Sequence, residues 1–136
     1  MGLTVLDAGV VIALLDASDV HHAAAVAAVT NARDQGDALI LPASAYAECL
    51  VAPYRRGDDA VALVDRFLDA LPARVEPADR AIARAAARLR AQHGPTLRLP
   101  DALVIATALA RDAASVLTTD THWPVVSVPI EVVSTR

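Results

Sequence analysis

The sequence predicts an α/β fold, a three-layer α/β/α sandwich in which a central parallel sheet lies between helices. Short apolar runs of four or five residues alternate with longer stretches of helical character. Strands that alternate with helices pair in parallel and carry the helices on both faces. Alanine-rich runs such as "HHAAAVAAV" and "RAIARAAARLR" supply those helices, because alanine has the highest intrinsic helix propensity. Hydrophobic residues make up 55% of the 136 and charged residues 21%, a balance that buries a core and argues against disorder. With no repeat, low-complexity linker or break in composition, residues 1–136 read as one domain.

The elements follow in order. "LTVLD" at 3–7 reads as a short buried strand, followed by a helical stretch at 9–16 and a longer one at about 20–35. Gly36 and Asp37 punctuate, and "ALIL" at 38–41 is the second strand. A helix starts near Pro42 to Ser44, and Pro53 is expected to bend or end it. Residues 58–70 are amphipathic, and "ARVEP" at 73–77 is a short strand. An arginine-bearing helix ends near Gly94 and Pro95. "LPDALVIATALARD" at 99–112 opens a further helix with Pro100 in the tolerated first turn. "SVLTT" at 115–119 and "IEVVS" at 130–134 complete the strands.

Composition excludes several functions. Cys49 is the single cysteine, so no internal disulfide and no cysteine-rich zinc site can form, and a reducing cytoplasm fits. The first apolar stretch is interrupted by Asp7 and Asp16 and lacks a basic flank, which argues against a signal peptide or membrane span. The four histidines are too scattered for a zinc motif, and no serine stands in a nucleophile elbow. Formal net charge is −4, yet all 12 basic residues are arginine. Residues 80–100 carry Arg80, Arg84, Arg88, Arg90 and Arg98 with no acid among them. That run is either a solvated helix face or a local phosphate-binding surface on an acidic protein.

Four acids raise the question of chemistry. Asp7 and Asp120 stand at the carboxyl ends of expected strands, and open α/β sheets bind ligands beyond those ends, where strand order reverses. Asp101 and Glu48 fall in the early parts of helices that begin at the same edge if the winding is regular. Singly, Asp7 reads as a helix cap, Asp101 as a complement to a helix N-terminus, and Asp120 as an Asx turn. Glu48 has no such excuse, since Ser44 lies four residues upstream and a capping box needs three. Jointly, clustered carboxylates stay ionised near neutrality only beside a cation, which without lysine is an arginine or a metal. An all-oxygen acidic set suits Mg²⁺ or Mn²⁺ rather than zinc, and such sites serve phosphodiester cleavage.

In order and spacing, "VLDAGVVIALLD", "PASAYAECL", "LPDALVIATAL" and "VLTTD" are similar to the four acidic motifs of PIN-domain nucleases. Within that group the chain resembles the VapC-type ribonuclease toxins of type II toxin–antitoxin pairs, over nearly its whole length. The resemblance implies a Mg²⁺-dependent endoribonuclease, with Mn²⁺ as a substitute. Asp7 and Asp101 correspond to the principal metal ligands, and Asp120 to a ligand acting directly or through water. Glu48 corresponds to the acid that helps hold the metal or orients the attacking water. Thr118 occupies the hydroxyl position expected to hydrogen-bond the acids. A cognate VapB-like antitoxin and a homodimer, assembling as a heterotetramer or larger, are also implied, with no membrane role. Without lysine, phosphate contacts fall to arginine, and Arg84, Arg88 and Arg98 are the candidates for RNA.

Other residues read more simply. Trp123 either packs the loop after Asp120 or stacks on an RNA base. His122 is near enough to Asp120 to reach the same cleft. Arg55 and Arg56 end a helix in solvent or contact RNA. Cys49 is expected in the core, because nothing nearby would activate it. Two other functions stay open on the residues. One is an aspartate-based phosphotransferase or phosphatase, against which the missing lysine and Gly9, in place of a second aspartate, both weigh. The other is a binding module without catalysis.

Overall fold

The computed structural model describes residues 2–135. It contains a five-stranded, wholly parallel sheet in the order β3-β2-β1-β4-β5. The strands are β1 (Leu3–Leu6), β2 (Ala38–Pro42), β3 (Ala73–Glu76), β4 (Ser115–Thr118) and β5 (Ile130–Val132). Around them pack α1 (Ala8–Leu15), α2 (His22–Asp34), α3 (Ala43–Arg56), α4 (Asp58–Ala70), α5 (Arg80–His93) and α6 (Leu99–Ala110). A single 3₁₀ turn at Gly94–Thr96 joins the last two.

β1 is central because it is buried on both faces. Val5 pairs with Ile40 on one side and Val116 on the other, and all three are almost wholly buried. Such unbroken apolar strands belong to parallel sheets covered by helices. α6 lies over β1, β2 and β4, and α5 packs along it. Ala102, Ile105, Ala106 and Ala108 of α6 and Ile82, Ala86 and Leu89 of α5 are buried, and the small side chains let the helices approach. α1 packs on β4 and α2, whereas α3 meets β2, α1 and α6. Among the described residues no helix is long and apolar enough to cross a membrane.

The sequence expectations for element type hold throughout. One detail differs: Pro53 does not end its helix, and α3 runs one further turn to Arg56 before Gly57 stops it at φ 129°. Pro53 is buried there; near a helix end, its missing N–H removes only one of the last ladder bonds.

The topology positions the site. The chain leaves β1 for β2 and β3 on one side, then crosses back to add β4 and β5 on the other. The order therefore reverses between β1 and β4, and a crevice opens at their carboxyl ends. Asp7 follows β1 directly, and its N–H donates to the Leu117 carbonyl at 2.9 Å.

Candidate functional site

Asp7 occupies the tight passage from β1 into α1. Its backbone is extended (φ −79°, ψ 159°) and its Oδ1 accepts from the Ala8 N–H at 2.9 Å, so it caps the helix. Its Oδ2 accepts from the Thr118 hydroxyl of β4 at 2.7 Å. Thr118 is fully buried and Asp7 only 9% exposed. The Thr118 Oγ1 also accepts from the Asp120 N–H at 3.1 Å. One hydroxyl thus ties the residues that end two neighbouring strands.

The other acids converge on this pair. Glu48 projects from α3, and Asp101 sits in the first turn of α6. Asp120 follows β4 with its side chain 35% exposed, and its Oδ1 accepts from the His122 N–H at 2.7 Å. Burial pushes the Asp7 carboxyl above its ordinary value; the Thr118 and Ala8 bonds oppose that shift, and the charges of Glu48 and Asp120 reinforce it. Asp101 is raised by burial and by Asp7 and Asp120, and Glu48 by burial and by Asp101. Each carboxylate therefore feels at least one other, an arrangement that burial and like charge together make unfavourable without a cation. Among the described residues, no three acidic, histidine or cysteine side chains are already drawn in tightly enough to hold an ion.

Two neighbours moderate the charge. Arg98, at the N-cap of α6, lies exposed beside Glu48 and Asp101 and partly offsets the rise of both carboxyls. The Trp123 indole also helps keep Asp101 charged, although its buried Nε1 makes no close, well-aligned hydrogen bond. Trp123 packs against the core, as the loop-packing alternative expects, and its indole also lies near Asp101. "TDTHW" places the ring three residues past Asp120, the one sequence signal that pointed there. Arg98, an RNA candidate in the sequence, stands three residues before Asp101, but its place beside Glu48 depends on α3 meeting α6 and had no local signal.

Residues outside the cluster are also accounted for. His122 reaches Asp120 through its backbone, and its ring is 91% exposed with Nδ1 at 3.7 Å from the carboxylate. Arg84 and Arg88 lie on the exposed face of α5, apart from the acids. Cys49 is buried, and its thiol is pushed up to about 12 by burial and by Glu48 and Asp7, which makes it inert as a nucleophile.

A Cβ at Gly9, on the first turn of α1, would collide with the Thr119 hydroxyl. The second aspartate of a phosphatase pattern would force Thr119 or the helix to shift there.

Residues 4–129 match the model of a known family, described as the PIN domain. The chain belongs to the PIN-domain family.

Solved structures share the PIN fold at low identity. A chain of VapBC2 from Rickettsia felis, bound to a promoter DNA fragment, superposes with a TM-score of 0.75 and 13% identity, covering 95% of this chain and 97% of the other. VapC20 from Mycobacterium tuberculosis, a sarcin–ricin loop cleaving toxin, gives 0.65 and 16%, covering 83% and 86%. A toxin–antitoxin complex from Klebsiella pneumoniae gives 0.61 and 20%, covering 87% of both chains. No curated protein matches this PIN domain by sequence at a significant level.

Proposed function

We propose that this PIN domain is a VapC-type endoribonuclease, the toxin of a type II toxin–antitoxin pair, and that it hydrolyses RNA phosphodiester bonds with Mg²⁺ or Mn²⁺. The observation that carries the reading is the acid cluster at the switch point, with Asp7 bound to Thr118 inside the field of Glu48 and Asp120. The neighbours support it, one being an RNA-cleaving toxin and another a toxin–antitoxin complex.

The donor set fits a hard divalent ion. It is anionic and all oxygen, and a cation would relieve the repulsion that raises three of the carboxyls. Asp7, Asp101 and Asp120 would hold the ion, and Glu48 would help hold it or orient the attacking water. Bound there, the ion would make water a stronger nucleophile and neutralise charge on the phosphoryl oxygens.

The chain's own groups do the rest. Thr118 fixes the direction of Asp7, so the site is set before substrate arrives. Glu48 is exposed and its carboxyl sits above the ordinary value, which suits it to accept a proton from incoming water. Arg98 offers a guanidinium fork to the scissile phosphate.

An apolar groove between α1, α3 and α4, lined by Ile12, Leu15, Ala52, Leu63 and Val64, runs up to Glu48. It would take an amphipathic segment of a VapB-like antitoxin, whose basic residue would reach the acids and block them. A toxin homodimer would then assemble with antitoxin as a heterotetramer or larger.

The test is expression without antitoxin. Wild type should arrest growth and leave new RNA ends in total RNA, whereas Asp7→Asn should relieve the arrest and lose most of the new ends. Equal toxicity and equal cleavage from the variant would overturn the proposed chemistry.

A further inference from the structure

We infer that the outer face of α5, with the groove beside it, is a track for the phosphodiester backbone of single-stranded RNA leading away from the acids. The identity of the polymer rests on the nuclease reading above. Arg80, Arg84 and Arg88 recur every fourth residue, are all exposed, and border one open depression. Four helical residues rise about 6 Å, a step comparable with the spacing of successive phosphates in an extended strand. Among the described residues none of the three pairs with an acid, whereas Arg74 and Arg111 are engaged by Glu76 and Asp79. Three aligned, unengaged guanidinium forks are a phosphate-binding surface.

The depression continues into a groove of about 660 Å³, because Ala81, Ala85 and Arg88 border both. The groove has Leu89 and Leu109 on one side and Val125–Ser127 on the other. That second wall continues the segment that starts at Asp120 and passes Trp123 beside Asp101. One stretch of chain therefore borders both the acids and the groove. The direction of the track follows from the helix pair. Arg111, just past the end of α6, binds Asp79 at the start of α5, so the two helices are antiparallel and the end of α5 returns toward Arg98. The stripe recedes from the acids in the order Arg88, Arg84, Arg80.

Among the described residues the groove is lined by no Phe, Tyr or Trp, and its one ring is the His93 imidazole. Bases find one imidazole to stack on and no run of rings, and the grip falls mainly on phosphates. Binding along the track is therefore strongly salt-dependent and nearly indifferent to sequence.

The test is fluorescence anisotropy with a labelled single-stranded RNA of mixed sequence, in EDTA so that metal-dependent cleavage is off. Wild type is compared with Arg80→Gln/Arg84→Gln/Arg88→Gln and with Arg33→Gln/Arg66→Gln, which removes exposed arginines of α2 and α4. The triple variant should flatten the slope of log K against log salt by about 2, near 0.7 for each lost contact on a single strand. The control should leave the slope unchanged. An unchanged slope in the triple variant, or equal flattening per arginine in the control, overturns the track. A change in molecular mass of the triple variant with its slope intact marks the face as a protein interface and likewise overturns it. Cleavage assayed separately with Mg²⁺ tells the failures apart. Cleavage with an unchanged slope sinks the track alone; no cleavage with an arginine-dependent slope sinks the nuclease reading and supports the track.

Discussion

At Asp7 two demands oppose each other: the position needs a carboxylate for the proposed metal, and burial penalises that charge. Thr118 is what makes the compromise workable. Its hydroxyl donates to Asp7 Oδ2 and accepts from the Asp120 N–H, so it is the hinge of the local network. Thr118→Val keeps the shape and removes both bonds, leaving a buried carboxylate oxygen and an N–H without their partner. The variant should lose about 1–3 kcal/mol in urea unfolding, whereas Thr118→Ser should stay within about 1 kcal/mol of wild type. If Val and Ser behave alike, the hydroxyl is not what holds Asp7. The identities of these residues were legible in the sequence, because an acid at a strand end and a hydroxyl two residues before another acid are local patterns. The shared hydrogen bond was not, since it spans 111 positions and depends on β1 and β4 being neighbours.

Elements were legible where one period dominated. The apolar runs of β1, β2 and β4 and the alanine-rich helices match their expected positions within a few residues, because burial on both faces leaves a strand no polar alternative. Pro53 shows the limit of local rules. A proline predicts a bend or an end, and here the end does not come: Pro53 is buried in α3 and the helix persists to Arg56. The close approach of α1 to β4 was also hidden, since it rests on Gly9 leaving space for Thr119. Gly9→Ala forces either the helix or Thr119 to shift, next to the Thr118 hinge. It should cost about 1–3 kcal/mol by overpacking, although alanine is the better helix former. A variant as stable as wild type, measured by denaturant midpoint at constant m-value, would show that Thr119 simply rotates away.

For the whole molecule the acid cluster is a source of instability that a cation should reverse. Asp7, Glu48 and Asp101 all have carboxyls raised in the folded state. The fold thus binds their protons more tightly than the unfolded chain does. Their contribution to stability is full below the ordinary carboxylate values and is lost as pH rises through the raised ones. Asp16 and Asp79 are lowered, chiefly by hydrogen bonds from Ser18 and from the Ile82 N–H, so their support is lost only at still lower pH. In EDTA, therefore, stability should rise as pH falls from neutrality toward the ordinary carboxylate range. Mn²⁺ or Mg²⁺ at a hundredfold excess over its dissociation constant should instead stabilise the protein at pH 7 by about 2.7 kcal/mol, roughly 9 °C in Tm for a chain of this size. Asp101→Asn removes one of the repelling charges and one proposed ligand together. It should melt at or above the wild-type temperature in EDTA and gain far less from either ion. If neither ion raises the wild-type Tm, or if Asp101→Asn gains as much, the carboxylates are not a metal site and their convergence needs another cause.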